Sequence, residues 1–257
     1  MEIIIIAIIS FLVSTLTFFS GFGLGTILTP VFMVFFPVDV SIALTGLVHL
    51  FNNIFKFFLV GKNMDKEVLI RFGIPAIIAA FLGSFVLLSI PENGPIFTYT
   101  FLGKQCNIYL LKLIVAILLI IFASMEISPY FQKLQFAKKY LPVGGFLSGF
   151  FGGLSGNQGA LRAAFLMKAG LSKEAFIGTA VAVSTLVDFT RLGVYAAGFF
   201  KEDLYDNLTL VLTATISAIA GSFIGNKLFK KITLRFLQIF VAAMLILLAM
   251  TLAAGLI

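Results

Sequence analysis

Six runs of about twenty mostly apolar residues, at 40–60, 67–90, 108–125, 174–200, 207–227 and 235–256, are separated by short charged connections along this chain. Such a run matches the hydrocarbon core of a bilayer, about 30 Å at 1.5 Å per helical residue, so each is expected to cross a membrane as a helix. With 60% hydrophobic and 11% charged residues, the chain carries more apolar surface than a water-soluble core can bury. No stretch is left over for a soluble catalytic domain.

The net charge of +7 is not a nucleic-acid footprint, because the basic residues fall between apolar runs instead of gathering on one face. Cys106 is the single cysteine, so no intramolecular disulfide forms, and no Cys/His spacing offers a metal site; no cofactor is expected. Residues 3–19 lack the basic flank of a signal peptide, with only Glu2 before them, and are expected to stay in the mature protein.

Two further apolar regions are interrupted. Residues 2–36 break at Ser20-Gly21-Phe22-Gly23-Leu24-Gly25, and residues 140–170 at Gly152-Gly153-Leu154-Ser155-Gly156-Asn157-Gln158-Gly159. The arms at 141–151 and 160–170 have about 11 residues each, roughly 16 Å of helix, half of what a crossing needs. Each region reads as a hairpin around a glycine-rich tip.

Positive residues mark cytoplasmic loops. They concentrate at Lys62/Lys66/Arg71, Lys133/Lys138/Lys139, Lys168/Lys173 and Lys227/Lys230/Lys231/Arg235. The connections at 91–107 (Lys104, Glu92) and 201–206 (Lys201, Glu202, Asp203, Asp206) are poorer in positive charge and are placed outside. With Lys139 and Lys173 both inside, 140–170 enters and leaves by one face, and both termini lie outside. Tyr99, Tyr109, Tyr130, Tyr140, Tyr195 and Tyr205 fall near the ends of the runs, where an amphipathic ring prefers the headgroups.

The chain also repeats itself. Ser20-Gly21-Phe22 is matched by Ser148-Gly149-Phe150, Gly83-Ser84-Phe85 by Gly221-Ser222-Phe223, Asn53–Lys56 by Asp188–Arg191, and Leu111-x-x-x-Val115-Ala116 by Leu237-x-x-x-Val241-Ala242. The loop after the first full span is basic in one copy and acidic in the other, so the copies are oppositely oriented. The expected fold is an all-α polytopic membrane protein made of an inverted repeat, each half one re-entrant or broken-helix hairpin plus three helices. The first half is 1–130 (hairpin 2–36; helices 40–60, 67–90, 108–125) and the second 131–257 (hairpin 140–170; helices 174–200, 207–227, 235–256). Inverted repeats with broken helices near the midplane are an architecture of secondary transporters. The competing reading is a plain eight-span bundle whose glycines only let helices pack closely.

Non-helical backbone at membrane depth survives only where protein or water satisfies it, so the tips imply a cavity. Half-helices starting near Gly25-Thr26 and near Gln158-Gly159-Ala160 point unpaired amides into it and favour an anion. On the next helix, His49, Asn52, Asn53 and Lys56 lie at spacings of three, four and seven along one face. The second half carries Ser184, Asp188 and Arg191 with Thr185 beside them, and Arg162 follows its tip. Ionisable residues inside a span are costly unless paired or wetted. Asp188 and Arg191 fit an ion pair one turn apart, Lys56 fits snorkelling to the interface, and a lone histidine such as His49 is often a packing residue. His49 and Asp188 are equally available as proton carriers. Arg162 has no acidic neighbour in sequence, and its guanidinium suits an oxyanion.

Ser20–Pro30 and, more specifically, Gly152–Arg162, together with the duplication, resemble the TauE/SafE sulfite exporters, also called the TSUP family of anion permeases. The resemblance covers nearly the whole chain. It departs from the family where Thr26 replaces a common tip glycine and Asn157 a frequent histidine. It implies secondary transport of sulfite or a small sulfonate across a prokaryotic cytoplasmic membrane, leaving the direction and any coupling H+ or Na+ open. The expected anion site joins Ser20, Gly21, Gly23, Gly25, Thr26, Asn52, Asn53, Ser155, Gly156, Asn157, Gln158, Gly159 and Arg162. His49, Lys56, Asp188 and Arg191 are the coupling or gating candidates. An intramembrane enzyme is disfavoured, since no HExxH, twin-Asp span or Ser/Lys dyad is present; an anion channel, or a carrier for another small oxyanion or carboxylate, would share the same chemistry. The lipid bilayer is the other expected partner, and the sequence does not distinguish monomer from dimer.

Overall fold

The computed structural model describes residues 2–18, 24–90, 94–133, 136–167, 169–198, 207–228 and 234–256. It is an all-α membrane protein with, among the described residues, one small β-hairpin. The helices are α1 (Glu2–Thr17), α2 (Leu24–Met33), α3 (Val38–Val60), α4 (Lys66–Ser89), α5 (Leu110–Ile127), α6 (Pro129–Lys133), α7 (Leu141–Ser155), α8 (Gly159–Leu166), α9 (Lys173–Gly198), α10 (Leu208–Leu228) and α11 (Leu234–Ala253). Among the described residues four helical segments are both long and apolar enough to cross a membrane: Val38–Asn63, Lys66–Ser89, Lys173–Ala196 and Leu208–Lys227. The apolar helices α5 and α11 add 18 and 20 residues.

α4 shows how these sequences make spans. The Asp65 carboxylate accepts from the Val68 amide at 2.9 Å, capping the start of the helix. Ile70, Ile74, Ile78, Phe81 and Phe85 are exposed along one face, while, beyond the buried Phe72, the other face buries Gly73, Ala76, Ala80 and Gly83. Large apolar groups outside and small ones inside is the pattern of a helix solvated by lipid.

The small face is where α7 docks. A β-carbon on Gly145, Gly149 or Gly153 would strike the backbone carbonyls of Phe72, Ala76 and Ala80, and one on Gly83 would strike that of Phe150. α10 meets α1 in the same manner, with Gly221 against the Phe11 carbonyl and Gly225 against that of Thr15. Gly83 and Gly221 therefore serve packing inside one chain, and Ala79 is likewise buried. α3 crosses α9, and α5 packs on α11.

The second glycine cluster breaks later than its composition suggests. α7 continues through Gly152, Gly153, Leu154 and Ser155, with Gly153 packed on the Ala80 carbonyl of α4 and Gly152 on the side chains of Gln158 and Val187. The turn begins at Gly156, whose left-handed φ of 76° ends α7, and α8 restarts at Gly159. The arms are thus 15 and 8 residues. Ser148-Gly149-Phe150 sits inside α7, so that string does not mark a break. In the first half, α1 ends at Thr17 and α2 starts at Leu24; Ser20, Gly21 and Gly23 lie outside the described residues, as does the 201–206 connection with its charged side chains.

The connection between α4 and α5 holds a β-hairpin, β1 (Phe97–Phe101) pairing antiparallel with β2 (Lys104–Ile108). Phe-Thr-Tyr-Thr-Phe alternates as a strand does, a signal the apolar-run reading passed over. The Tyr99 hydroxyl donates to the Ala254 carbonyl at 2.7 Å, tying the hairpin to the end of α11.

Candidate functional site

The α3–α9 crossing sets polar side chains of two distant segments against each other. Asp188, fully buried on α9, receives three partners. Arg191 Nε, one turn along the same helix, donates to Oδ1 at 3.0 Å, with Nη2 2.9 Å from that oxygen. His49 Nδ1 and the Asn53 amide, both from α3, approach Oδ2 at 2.6 Å and 3.1 Å. A carboxylate accepts only, so Nδ1 carries the proton of its bond to Asp188. The 3.1 Å approach of Asn53 Nδ2 to that nitrogen then sets N–H beside N–H and makes no bond. Buried charge of this kind persists because it is both paired and hydrogen-bonded.

Beside this cluster lies a small cavity lined by Gly25, Thr26, His49, Gly156, Gln158, Gly159 and Arg162. The space between these groups, about 210 Å³ with its open side included, has room for about a single water. The two broken regions meet here: a methyl on Gly25 would stand 3.6 Å from the Gly156 carbonyl and 3.6 Å from His49 Cδ2. Arg162, 2% exposed, donates from Nη1 to the Ser184 hydroxyl at 2.5 Å, so α9 aims its guanidinium. Among the described residues the lining holds one guanidinium, one imidazole, a hydroxyl, an amide and backbone, and no carboxylate.

Other expected site residues stand apart from this lining. Asn52 turns toward α1 and α10: its Oδ1 accepts from Ser222 at 2.7 Å and Ser14 at 3.3 Å, while its Nδ2 has no partner. The polar stripe of α3 therefore serves two neighbours instead of one. Asn53 acts through Asp188. The Ser155 hydroxyl donates to the Phe151 carbonyl at 3.0 Å, and Asn157 Nδ2 donates to the Ser155 carbonyl at 3.4 Å, leaving Oδ1 unpartnered; both shape the turn. Lys56 is buried, its ammonium 5.5 Å from the centre of the Phe18 ring, so it packs inside the protein and does not snorkel. Arg191 Nη1 has no hydrogen-bond partner and would lie 2.9 Å from a β-carbon on Gly156.

The reading of the sequence missed two supports of the second tip. Tyr195 is buried and donates its hydroxyl to the Gly153 carbonyl, so it is no headgroup-level tyrosine; α9 runs on to Gly198 and keeps that position inside. Ser84 approaches the same carbonyl at 3.4 Å. The recurrence of Gly-Ser-Phe at 83 and 221 was the available signal, since Ser84 and Ser222 both end in buried polar contacts.

These features define a class: a polytopic α-helical membrane protein with a cation-bearing polar cavity in its core. A family model, sulfite exporter TauE/SafE, matches residues 6–252. The chain belongs to the TauE/SafE sulfite exporter family, which is a family of membrane transporters. No curated protein and no solved structure matches it.

Proposed function

We propose that this protein is a secondary transporter that carries sulfite or a small sulfonate through the cytoplasmic membrane of a prokaryote, with the anion held between the two glycine-rich turns. The observation that carries the reading is the cavity itself: Arg162 joins a lining that contains the starts of α2 and α8 and, among the described residues, no acidic group. Amide dipoles at helix starts, a hydroxyl and a guanidinium are the groups an oxyanion needs. A space with room for about a single water favours a carrier that must rearrange to take up its cargo over a channel, which needs a continuous wet path.

In this reading residues 1–130 and 131–257 form oppositely oriented halves, hairpins 2–36 and 140–170 supply the two tips, both termini face outward, and rocking of one half against the other exposes the anion alternately. The packing supports it. Exchanging the halves turns the α4–α7 pair into α10–α1 and leaves α3–α9 and α5–α11 paired with themselves.

The test is uptake of radiolabelled sulfite by proteoliposomes, with competition by sulfonates, sulfate and thiosulfate. Removing a charge-assisted bond worth about 1.5–3 kcal/mol, Arg162→Ala should lower saturable uptake by roughly 10- to 100-fold while the variant still elutes as a folded protein in detergent. Wild-type uptake by that variant would take Arg162 out of the site.

A further inference from the structure

We propose that His49 carries a proton across the membrane together with each sulfur oxyanion, one for one, while Asp188 remains ionised as the fixed anchor of the imidazole. The proposal rests on reading the cavity as the anion site.

The geometry separates two residues that the sequence left equivalent as proton carriers. Asp188 is fully buried, and its two oxygens are occupied by Arg191, His49 and Asn53. A proton arriving there would displace a donor and leave the Arg191 guanidinium, 1% exposed, without its counter-charge. His49 has the opposite arrangement. Nδ1 keeps its hydrogen on Asp188, which fixes the tautomer and leaves the lone pair on Nε2. The ring lines the cavity, and its Cδ2 edge, adjacent to Nε2, faces Gly25. Among the described residues Nε2 makes no hydrogen bond. It is a basic nitrogen held in place on a ring that lines the space the anion would occupy.

The charges around the ring make the two cargoes interdependent. From α9 it meets Asp188, with Arg191 behind; from α8, Arg162 stands on the same cavity; on α3 itself Lys56 lies two turns on. The described part of α2 has no ionisable side chain, α10 carries Lys227, set over the Phe223 ring, and the turn after α3 carries Lys62. In the empty cavity the Arg162 guanidinium opposes a further positive charge on His49. An oxyanion beside Arg162 reverses that, so anion and proton each favour the other's binding, and the linkage is reciprocal. The proton comes from water on one face onto the Nε2 lone pair, giving an imidazolium. It returns to water on the other face, restoring the neutral ring with Nδ1 still on Asp188. The anion undergoes no covalent change.

Sulfite takes up protons itself, so the decisive probe is methanesulfonate, which stays fully ionised near neutral pH. In proteoliposomes clamped at zero membrane potential, an imposed pH gradient should drive labelled methanesulfonate from the acid side to the alkaline side, in the direction the protons run. Its steady ratio should change about tenfold per unit of gradient, as one proton per anion requires. For His49→Gln, accumulation driven by the gradient should fall to that of protein-free vesicles, whatever rate of methanesulfonate exchange remains. Methanesulfonate distribution indifferent to the gradient in wild type, its failure to move at all while sulfite does, or full gradient-driven accumulation by His49→Gln would each overturn the proposal; the wild-type measurement stands even where the variant does not fold. Absence of both sulfite and methanesulfonate flux in wild type is a different result, which defeats the anion reading itself.

Discussion

Asp188→Asn changes one atom and tests whether the buried α3–α9 cluster is held by charge. Asn keeps the shape of the side chain, but it brings an NH2 group to a place where every neighbour is a donor: Arg191 Nε on one oxygen, His49 Nδ1 and Asn53 Nδ2 on the other. One of these contacts becomes donor against donor, and the Arg191 charge, 1% exposed, loses its partner. Breaking a buried pair in this way costs about 3–5 kcal/mol, which is roughly a hundred- to several-thousand-fold in the folding equilibrium. Equilibrium unfolding in mixed detergent–SDS micelles, followed by circular dichroism, reads that loss. Arg191→Met removes the other charge and is also expected to destabilise. Asp188→Asn/Arg191→Met removes both, and should lose less than the sum of the single variants by about 2 kcal/mol, within the range of coupled neighbours. If the three variants add to within about 0.5 kcal/mol, the pair is not coupled and the electrostatic account of the crossing fails.

The two turns give further tests. Gly156→Ala forces a β-carbon into a left-handed φ of 76° and against Arg191 Nη1, and should cost about 1–2 kcal/mol by the same unfolding measurement. Gly25→Ala meets nothing nearer than 3.6 Å; stability should be kept, and the added methyl should show instead as a raised half-saturation concentration for sulfite uptake. Gly153→Val drives a side chain into the Ala80 carbonyl at the α4–α7 seam, and the expected result is a loss of about 1–3 kcal/mol with lower yield of monodisperse protein. Ser222→Ala leaves Asn52 Oδ1 with only its 3.3 Å contact to Ser14, so a cost near 1 kcal/mol is expected with no change in the sulfite concentration dependence, because Asn52 does not line the cavity.

Membrane residence, the helices behind the long apolar runs, and family membership were all readable from the order of the residues. These depend on local quantities: twenty apolar side chains satisfy a bilayer wherever they occur, and a hydrogen-bonded helix needs no distant partner. The Asp188–Arg191 pair was equally legible, since i and i+3 share a helix face. Only the tertiary structure decided that His49 and Asp188, 139 positions apart, share a hydrogen bond, that Asn52 and Asn53 turn to different neighbours, and that Lys56 and Tyr195 are buried. It also decided where the second cluster breaks. Gly152, set against Gln158 and Val187, and Gly153, set against the Ala80 carbonyl of α4, stay helical, whereas Gly156 takes the left-handed turn. Composition shows where a chain is free to bend; which of its glycines bends depends on what is packed against it.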